Sequence, residues 1–301
     1  MSYKKIIIGI IIIVLIFVVC TVYLLYTNSY SNTNSYSKAK AKLFEAIKNN
    51  NLNIVSELLI KYPKLSNDYR IGFPYSLLVF DATNNTPIME ACTYGRDDMV
   101  VLLVENGADI NNISLCSAIK YPIIEVLNND NYDMAWYFIE HNADLDVKGD
   151  RDNVITAILN PIQNDNEMQQ QYKLIKYFID NNLSLDLSTA LSTVYDDNTV
   201  FDLAVFNRNI LVVEYLLDNN MFDVNACVES NGNFTALHLI LKQDLENKQS
   251  DSTFAYFINS YDMCKLLIEH GADATIKDDF GKTAYDYAVE LGDEYLISML
   301  A

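Results

Sequence analysis

Three observations predict an all-α solenoid of stacked helix–turn–helix repeats, about seven including degenerate ends, preceded by one transmembrane helix. Pairs of apolar residues, each within a helically spaced apolar segment, recur along the chain after residue 40. A second helical segment, often opened by Thr or Pro and carrying small residues, precedes most of these pairs. At the other end, Ile6 to Tyr26 is a run of 21 residues without a charge. A repeating unit of this size cannot bury its own apolar face and does so by stacking on its neighbours.

The chain is accordingly divided into a short basic N-terminus (1–5), a transmembrane helix (6–26), a polar linker (27–40) and a repeat domain (41–301). At about 1.5 Å per helical residue the uncharged run reaches about 31 Å, which matches a hydrocarbon core of about 30 Å. The run is longer than a signal-peptide apolar region and no small-residue cleavage site follows, so it reads as an uncleaved anchor. Val19 stands before Cys20 where lipidation would want a small residue. Lys4 and Lys5 flank the run closely, which predicts a cytoplasmic amino terminus and a translocated repeat domain. Lys38, Lys40 and Lys42 stand farther off on the other side. Residues 27–40, rich in Ser, Asn, Thr and Tyr, have linker composition.

Charge narrows the partners. The 301 residues hold 40 acidic and 21 basic side chains, and residues 1–42 contain five lysines and no acid. The remainder therefore carries 16 basic against 40 acidic residues, a difference of −24. Such a surface repels phosphate backbones, so no nucleic acid is expected and an unknown protein partner with a basic surface fits better. None of the five cysteines forms a C-x-x-C pair, which excludes a zinc ribbon, and the set does not read as a disulfide framework. Cys92 and Cys264 occupy small or apolar repeat positions and read as buried, inert thiols; Cys116 and Cys227 fall in less regular stretches.

The register of the repeats is set by the apolar pairs Leu58-Leu59, Leu102-Leu103, Tyr137-Phe138, Tyr177-Phe178, Leu216-Leu217, Leu266-Leu267 and Met299-Leu300. Successive spacings are 44, 35, 40, 39, 50 and 33 residues, so a unit near 33 carries insertions. Pro87 and Pro122 suit the first turn of the preceding helix, where no N–H partner is lost. Thr86, Thr199, Thr235 and Thr283 suit the cap just before it. Gly107, Asn142, Asn182, Asn220 and Gly271 share a position just past a helix, where the left-handed conformation is wanted.

"TPIMEACTYGRDDMVVLLVENGADIN", residues 86–111, resembles the ankyrin-repeat family's T-P-L-H-x-A-A-x-x-G…V-x-x-L-L-x-x-G-A-D-x-N pattern. The resemblance covers roughly residues 41–301; it is strong at 86–112 and 235–275 and weaker at 153–186, which lacks most of the Pro, Gly and small residues. It implies a turn and two antiparallel helices per repeat, and protein binding through exposed turns and a concave helical surface.

The same register absorbs the histidines. His141 and His270 stand where other copies have Asn, and His238 falls in the T-P-L-H slot, where the resemblance implies bonds to backbone groups of neighbouring turns. No phosphate loop, nucleophile elbow or H-E-x-x-H is present, and "NNDNYD" and "YDDNTVFD" lack the Gly and spacing of a calcium loop. No catalytic residue, cofactor or metal site is expected, and the chain does not read as an enzyme. Lys148-Gly149-Asp150 falls where a repeat turn is expected. The insertions at 161–171 and 242–260 separate the two helices of a repeat or lengthen one.

Partner-binding turn tips are therefore placed at Asp81, Thr83, Asn84, Asp196, Asp197, Glu229, Asn231, Asp278 and Phe280. The function expected is a membrane-anchored module for protein–protein interaction. The alternative is a structural spacer or scaffold that multimerises or supports a membrane-associated enzyme or transporter.

Overall fold

The structure is a computed structural model that describes residues 35–69, 85–115, 119–150, 152–186, 199–227, 232–249 and 260–301. The chain divides into two units, residues 1–117 and 118–301. In both, the described residues form consecutive helix pairs, seven pairs in all.

The first unit opens with α1 (residues 35–48) and α2 (Leu52–Lys61), followed by a 3-10 turn over Pro63–Asn67. Helix α1 begins inside the segment assigned to the linker at 27–40, which corrects that boundary. Of the segment's described residues Ala39 is buried, and the helical face continues beyond it in Leu43, Phe44, Ala46 and Ile47, all buried. Lys40 pairs with Asp68 at 2.9 Å and the Tyr36 ring meets Tyr62 edge-on at 5.7 Å. The second pair is α3 (Pro87–Thr93) and α4 (Asp97–Glu105). Pro87 takes the first turn of α3, and the Thr86 hydroxyl accepts the Met89 N–H at 3.2 Å.

The second unit carries α5 (Pro122–Asn128) with α6 (Tyr132–Glu140), α7 (Val154–Ile158) with α8 (Asp165–Asp180), and α9 (Val200–Phe206) with α10 (Ile210–Asp218). It continues with α11 (Ala236–Gln249) and α12 (Ser260–Glu269), then α13 (Ala284–Leu291) and α14 (Glu294–Leu300). First helices pack on first helices, as α9 on α11 and α11 on α13; second helices pack on second helices, as α8 on α10 and α10 on α12.

Local chemistry sets the helix ends. Thr199 with Asp202, Thr283 with Asp286 and Asn153 with Thr156 form reciprocal capping boxes that satisfy backbone donors the helix leaves open. Thr235 departs from the expected hydroxyl cap: its Oγ1 lies 2.8 Å from His238 Nδ1. Asn142, Asn182 and Asn220 turn the chain left-handed at φ of 62°, 54° and 52°, as Gly107 and Gly271 do at 81° and 89°. Asn tolerates this because its short side chain can bond locally.

In six of the seven apolar pairs the second residue is the more buried; in Leu216-Leu217 the first is, at 0% against 7% exposed. Leu103, Phe138, Phe178 and Leu267 are at most 1% exposed, while Leu102, Tyr137 and Tyr177 are half-buried. The weak copy at 153–186 packs equally well. Both insertions lengthen a helix: α8 has 16 residues where α4, α6 and α10 have 9, and α11 has 14 where α3, α5 and α9 have 7. Among the described residues no helix is long and apolar enough to cross a membrane; residues 6–26, assigned to the anchor, lie outside them.

Candidate interaction surface

Of the nine predicted turn tips, Asp81, Thr83, Asn84, Asp196, Asp197, Glu229 and Asn231 lie outside the described residues. Asp278 and Phe280 lie in the turn before α13, and the structure gives them opposite roles. Asp278 is 5% exposed. Its Oδ1 accepts the N–H groups of Phe280 and Lys282, both at 2.9 Å, and its Oδ2 accepts the Tyr287 hydroxyl at 2.7 Å. Burial pushes this carboxyl up, but the hydrogen bonds from Tyr287, Lys282 and Phe280 outweigh it and hold the group below the usual carboxylate range. Asp278 therefore organises the turn and is corrected as a contact residue: its side chain is spent on its own loop.

Phe280 is 70% exposed at the tip of that turn. Its ring stacks on Phe234, which is buried, at a centroid distance of 6.2 Å and an interplanar angle of 25°. The Asp279 N–H donates to the Gly232 carbonyl at 3.0 Å, and Asn233 Nδ2 donates to Asp279 Oδ1 at 2.6 Å. The turn is thus braced against the preceding one and presents an exposed aromatic ring beside an exposed carboxylate, Asp279. Of the pair Asp278-Asp279, one residue points in and the next out.

Sequence reasoning missed a second brace. Asn225 Oδ1 accepts the Asp273 N–H at 2.7 Å, and its Nδ2 donates to the Gly271 carbonyl at 3.0 Å. Asn67 makes the same two bonds to Asp109 and Gly107, at 2.6 and 2.7 Å. One amide side chain reads both backbone groups of the following turn, donating and accepting, which an ionised carboxylate cannot do. For Asn225 the signal available was an Asn two residues after Asp, as at 109–111 and 223–225; Asn67 has Leu65 in place of that Asp and carries no such signal.

Each histidine sits within the repeat geometry. His238 Nδ1 accepts the Thr235 N–H at 3.2 Å, and its Nε2 lies 3.2 Å from the Lys282 carbonyl of the next turn, the backbone bonding the T-P-L-H slot implies. Burial lowers its pKa. His141 Nδ1 reaches the Tyr137 carbonyl at 2.8 Å, the same four-residue step that Asn106, Asn181 and Asn219 make at 2.8, 2.8 and 2.7 Å. His270 Nε2 lies 3.6 Å from Asp218. Lys148 pairs with Asp186 at 2.8 Å, and Gly149 N–H donates to Asp152, so residues 148–150 form a repeat turn. Cys92 and Cys264 are buried, burial pushing the Cys264 thiol up to about 12; Cys227 is exposed and Cys116 lies outside the described residues.

These groups predict that the last repeat loosens in acid. Burial lowers His238, and hydrogen bonds hold Asp278, Asp286 and Asp293 low. The folded state then resists protons that the unfolded state takes. The stabilisation is complete above about 6.5 for the histidine and about 3.9 for the carboxylates, and is lost as pH falls through the lower folded values. Intrinsic-rate-corrected hydrogen exchange of α13 should fall in protection below about pH 6.5 and again below about 4. Protection that is flat down to pH 3 would show that these bonds do not hold the turn.

Charge differs sharply between the units. Residues 118–301 carry 11 basic and 31 acidic side chains, hence −20, whereas residues 1–117 carry 10 and 9, hence +1. Among the described residues no group of three or more His, Cys, Asp or Glu side chains is arranged to hold a metal.

The stack of helix pairs has counterparts among known proteins. Residues 18–114 match a family model described as ankyrin repeats in three copies, and residues 232–279 match the single ankyrin-repeat model. Over those residues the chain is similar to ankyrin repeats. The first match begins at residue 18, within the uncharged run. A solved structure of the ankyrin repeat domain of Bcl-3, described as a unique member of the IkappaB protein family, covers 86% of this chain and 96% of its own at a TM-score of 0.54 and 17% identity. The human ASB11 ankyrin repeat domain covers 85% and 96% at a TM-score of 0.53 and 17% identity. Likeness at that identity shows the fold alone. Alpha-latrotoxin-Lg1a of Latrodectus geometricus is 26% identical over 225 residues, which are 73% of this chain and 14% of that protein.

Proposed function

We infer that this ankyrin-repeat chain acts by binding a protein partner, and that residues 6–26 hold it at a membrane. Ankyrin repeats generally mediate protein–protein interactions. The observation that carries the reading here is the braced turn at 278–282: an aromatic side chain 70% exposed, stacked on a buried ring, beside an exposed carboxylate. Aromatic residues, Phe among them, are enriched at protein interfaces, and a ring held in place by stacking loses little freedom on binding. The charge of −20 on residues 118–301 favours a partner with a basic surface, drawn in by long-range attraction.

The anchor reading rests on the length and composition of the uncharged run, and the orientation on Lys4 and Lys5, which favour a cytoplasmic amino terminus and a translocated repeat domain. The test is a photo-crosslinking side chain placed at Phe280 in the full chain in its native membrane, with the same group at Ile60, 75% exposed on α2, as control. The expected result is protein adducts at position 280 that fade as salt rises. Absent adducts at 280, or equal adducts at both positions that ignore salt, would overturn the reading.

A further inference from the structure

The first helix pair differs in charge from all the others. Residues 35–69 hold six lysines and three carboxylates, a balance of +3, whereas each of the other six pairs has more acid than base. One slot of the repeat shows the reversal directly. The second position after the apolar pair is Glu105, Glu140, Asp180 and Glu269 in four other copies, and here it is Lys61. Of these six lysines, Lys40 alone is in an ion pair with a described residue, Asp68.

Three of the lysines gather at one end of the pair. Ser35 Oγ lies 3.0 Å from the Tyr62 hydroxyl, and the Tyr36 ring meets that of Tyr62, so the start of α1 lies against the end of α2. Lys38 in the first turn of α1, Lys61 at the last position of α2 and Lys64 in the 3-10 turn are all exposed. Lys61 Nζ stands 5.3 Å from the centre of the Tyr62 ring. Beside them Ile60 is 75% exposed, although Val104, Ile139, Ile179 and Ile268 in the same slot are half-buried.

This is also the end at which the chain arrives from the uncharged run. Tyr26 and Ser35 are nine residues apart, which reach at most about 32 Å however they are folded. With residues 6–26 in a membrane, the lysines are held beside its surface, and a tether makes even a weak attraction count. Lysines close to a membrane are drawn to anionic headgroups, and an apolar side chain among them can enter the acyl boundary. We propose that this end of the first helix pair, Ile60 with Lys38, Lys61 and Lys64, docks on anionic lipid headgroups of the membrane that anchors the chain. The proposal rests on the anchor reading and adds a second, charge-dependent contact to it. It holds for either orientation, because the tether is the same length on both sides.

The experiment places a photo-crosslinking side chain at Ile60 in the full chain, reconstituted in nanodiscs of phosphatidylcholine alone or mixed with phosphatidylserine. Lipid adducts are read by mass spectrometry, with the same group at Phe280 as control. Adducts at position 60 should form in the anionic discs and be about tenfold or more rarer in neutral discs. The double variant Lys61→Glu, Lys64→Glu should lose them to the same extent. Both lysines are exposed, so this variant should fold as the parent does, which circular dichroism checks; the comparison of lipids needs no variant at all. Adducts at 60 that are absent, equal in the two kinds of disc, matched at 280 or unchanged by the double variant overturn the proposal. Retention of the chain in neutral discs separates the two readings. A chain that leaves them sinks the anchor and the docking together, whereas a chain that stays without anionic-dependent adducts sinks the docking alone.

Discussion

Asp244→Ala should destabilise the second unit by about 3–5 kcal/mol, a far larger loss than any surface charge would cause. Asp244 lies on the lengthened part of α11 and its side chain is 2% exposed; its partner Arg208, between α9 and α10, is 5% exposed. The guanidinium donates to Asp244 Oδ1 at 2.9 Å and to the Ile240 and Val205 carbonyls at 3.2 and 3.4 Å. Burial pushes the Asp244 carboxyl up, while Arg208 and the Ser260 hydroxyl pull it down. Removing the carboxylate leaves a guanidinium trapped at an interface between repeats, and most of the expected cost is that stranded charge.

The pair itself need not add net stability, because taking two charges out of water costs about as much as their attraction returns. The double variant Arg208→Met with Asp244→Leu should therefore lose much less than Asp244→Ala alone. Urea denaturation of all three variants closes the cycle. A single-variant loss under about 1 kcal/mol would mean that water reaches the site and the pair is not buried in solution. Repeat domains pass stability between neighbours, so exchange should quicken first in α9 to α12.

This pair also shows where the sequence stops being legible. The helix periods, Thr and Pro starts and Gly or Asn stops act within a few residues, so their chemistry can be read locally. Asn142, Asn182 and Asn220 take the left-handed turn their position implies. Arg208 also turns left-handed, at φ 62°, where a long charged side chain would not be expected. Its partner is 36 residues away, inside an insertion. Nothing local to "FNRNI" says that the arginine is buried.

The candidate surface was half legible for the same reason. A turn's position follows from register, but which residue faces outward depends on long-range bonds. Asp278 looks like an exposed acid, yet Tyr287 draws it inward. Register places Phe280 at a turn tip, and it is 70% exposed there, but the buried Phe234 ring it stacks on cannot be read locally.

The second large effect concerns the copy at 153–186, which departs most from the family pattern. Phe178→Ala should cost about 3–5 kcal/mol, the usual range for deleting a buried aromatic ring. Phe178 is 1% exposed on α8, with Leu174 and Ile175 equally buried beside it. Deviation from the pattern did not loosen this copy, because other groups take over the missing roles. The Asn153 capping box replaces the Thr-Pro start, and Asn182 at φ 54° replaces the glycine. Gln171, fully buried, accepts the Asn209 amide at 2.9 Å and donates to the Asn160 carbonyl at 2.8 Å, which ties the lengthened α8 to both neighbours. Tyr177→Ala is the control: Tyr177 is half-buried and meets Trp136 edge-on at 5.5 Å, so its loss should cost about 1 kcal/mol beyond its smaller buried area. Urea midpoints for the two variants decide the matter. A Phe178→Ala loss no larger than that of Tyr177→Ala would mean that residues 153–186 are a loose graft between two stable blocks. A clearly larger loss would mean that the unit from α5 to α14 unfolds through one continuous core, because a cavity in its weakest copy would then be felt by the whole stack.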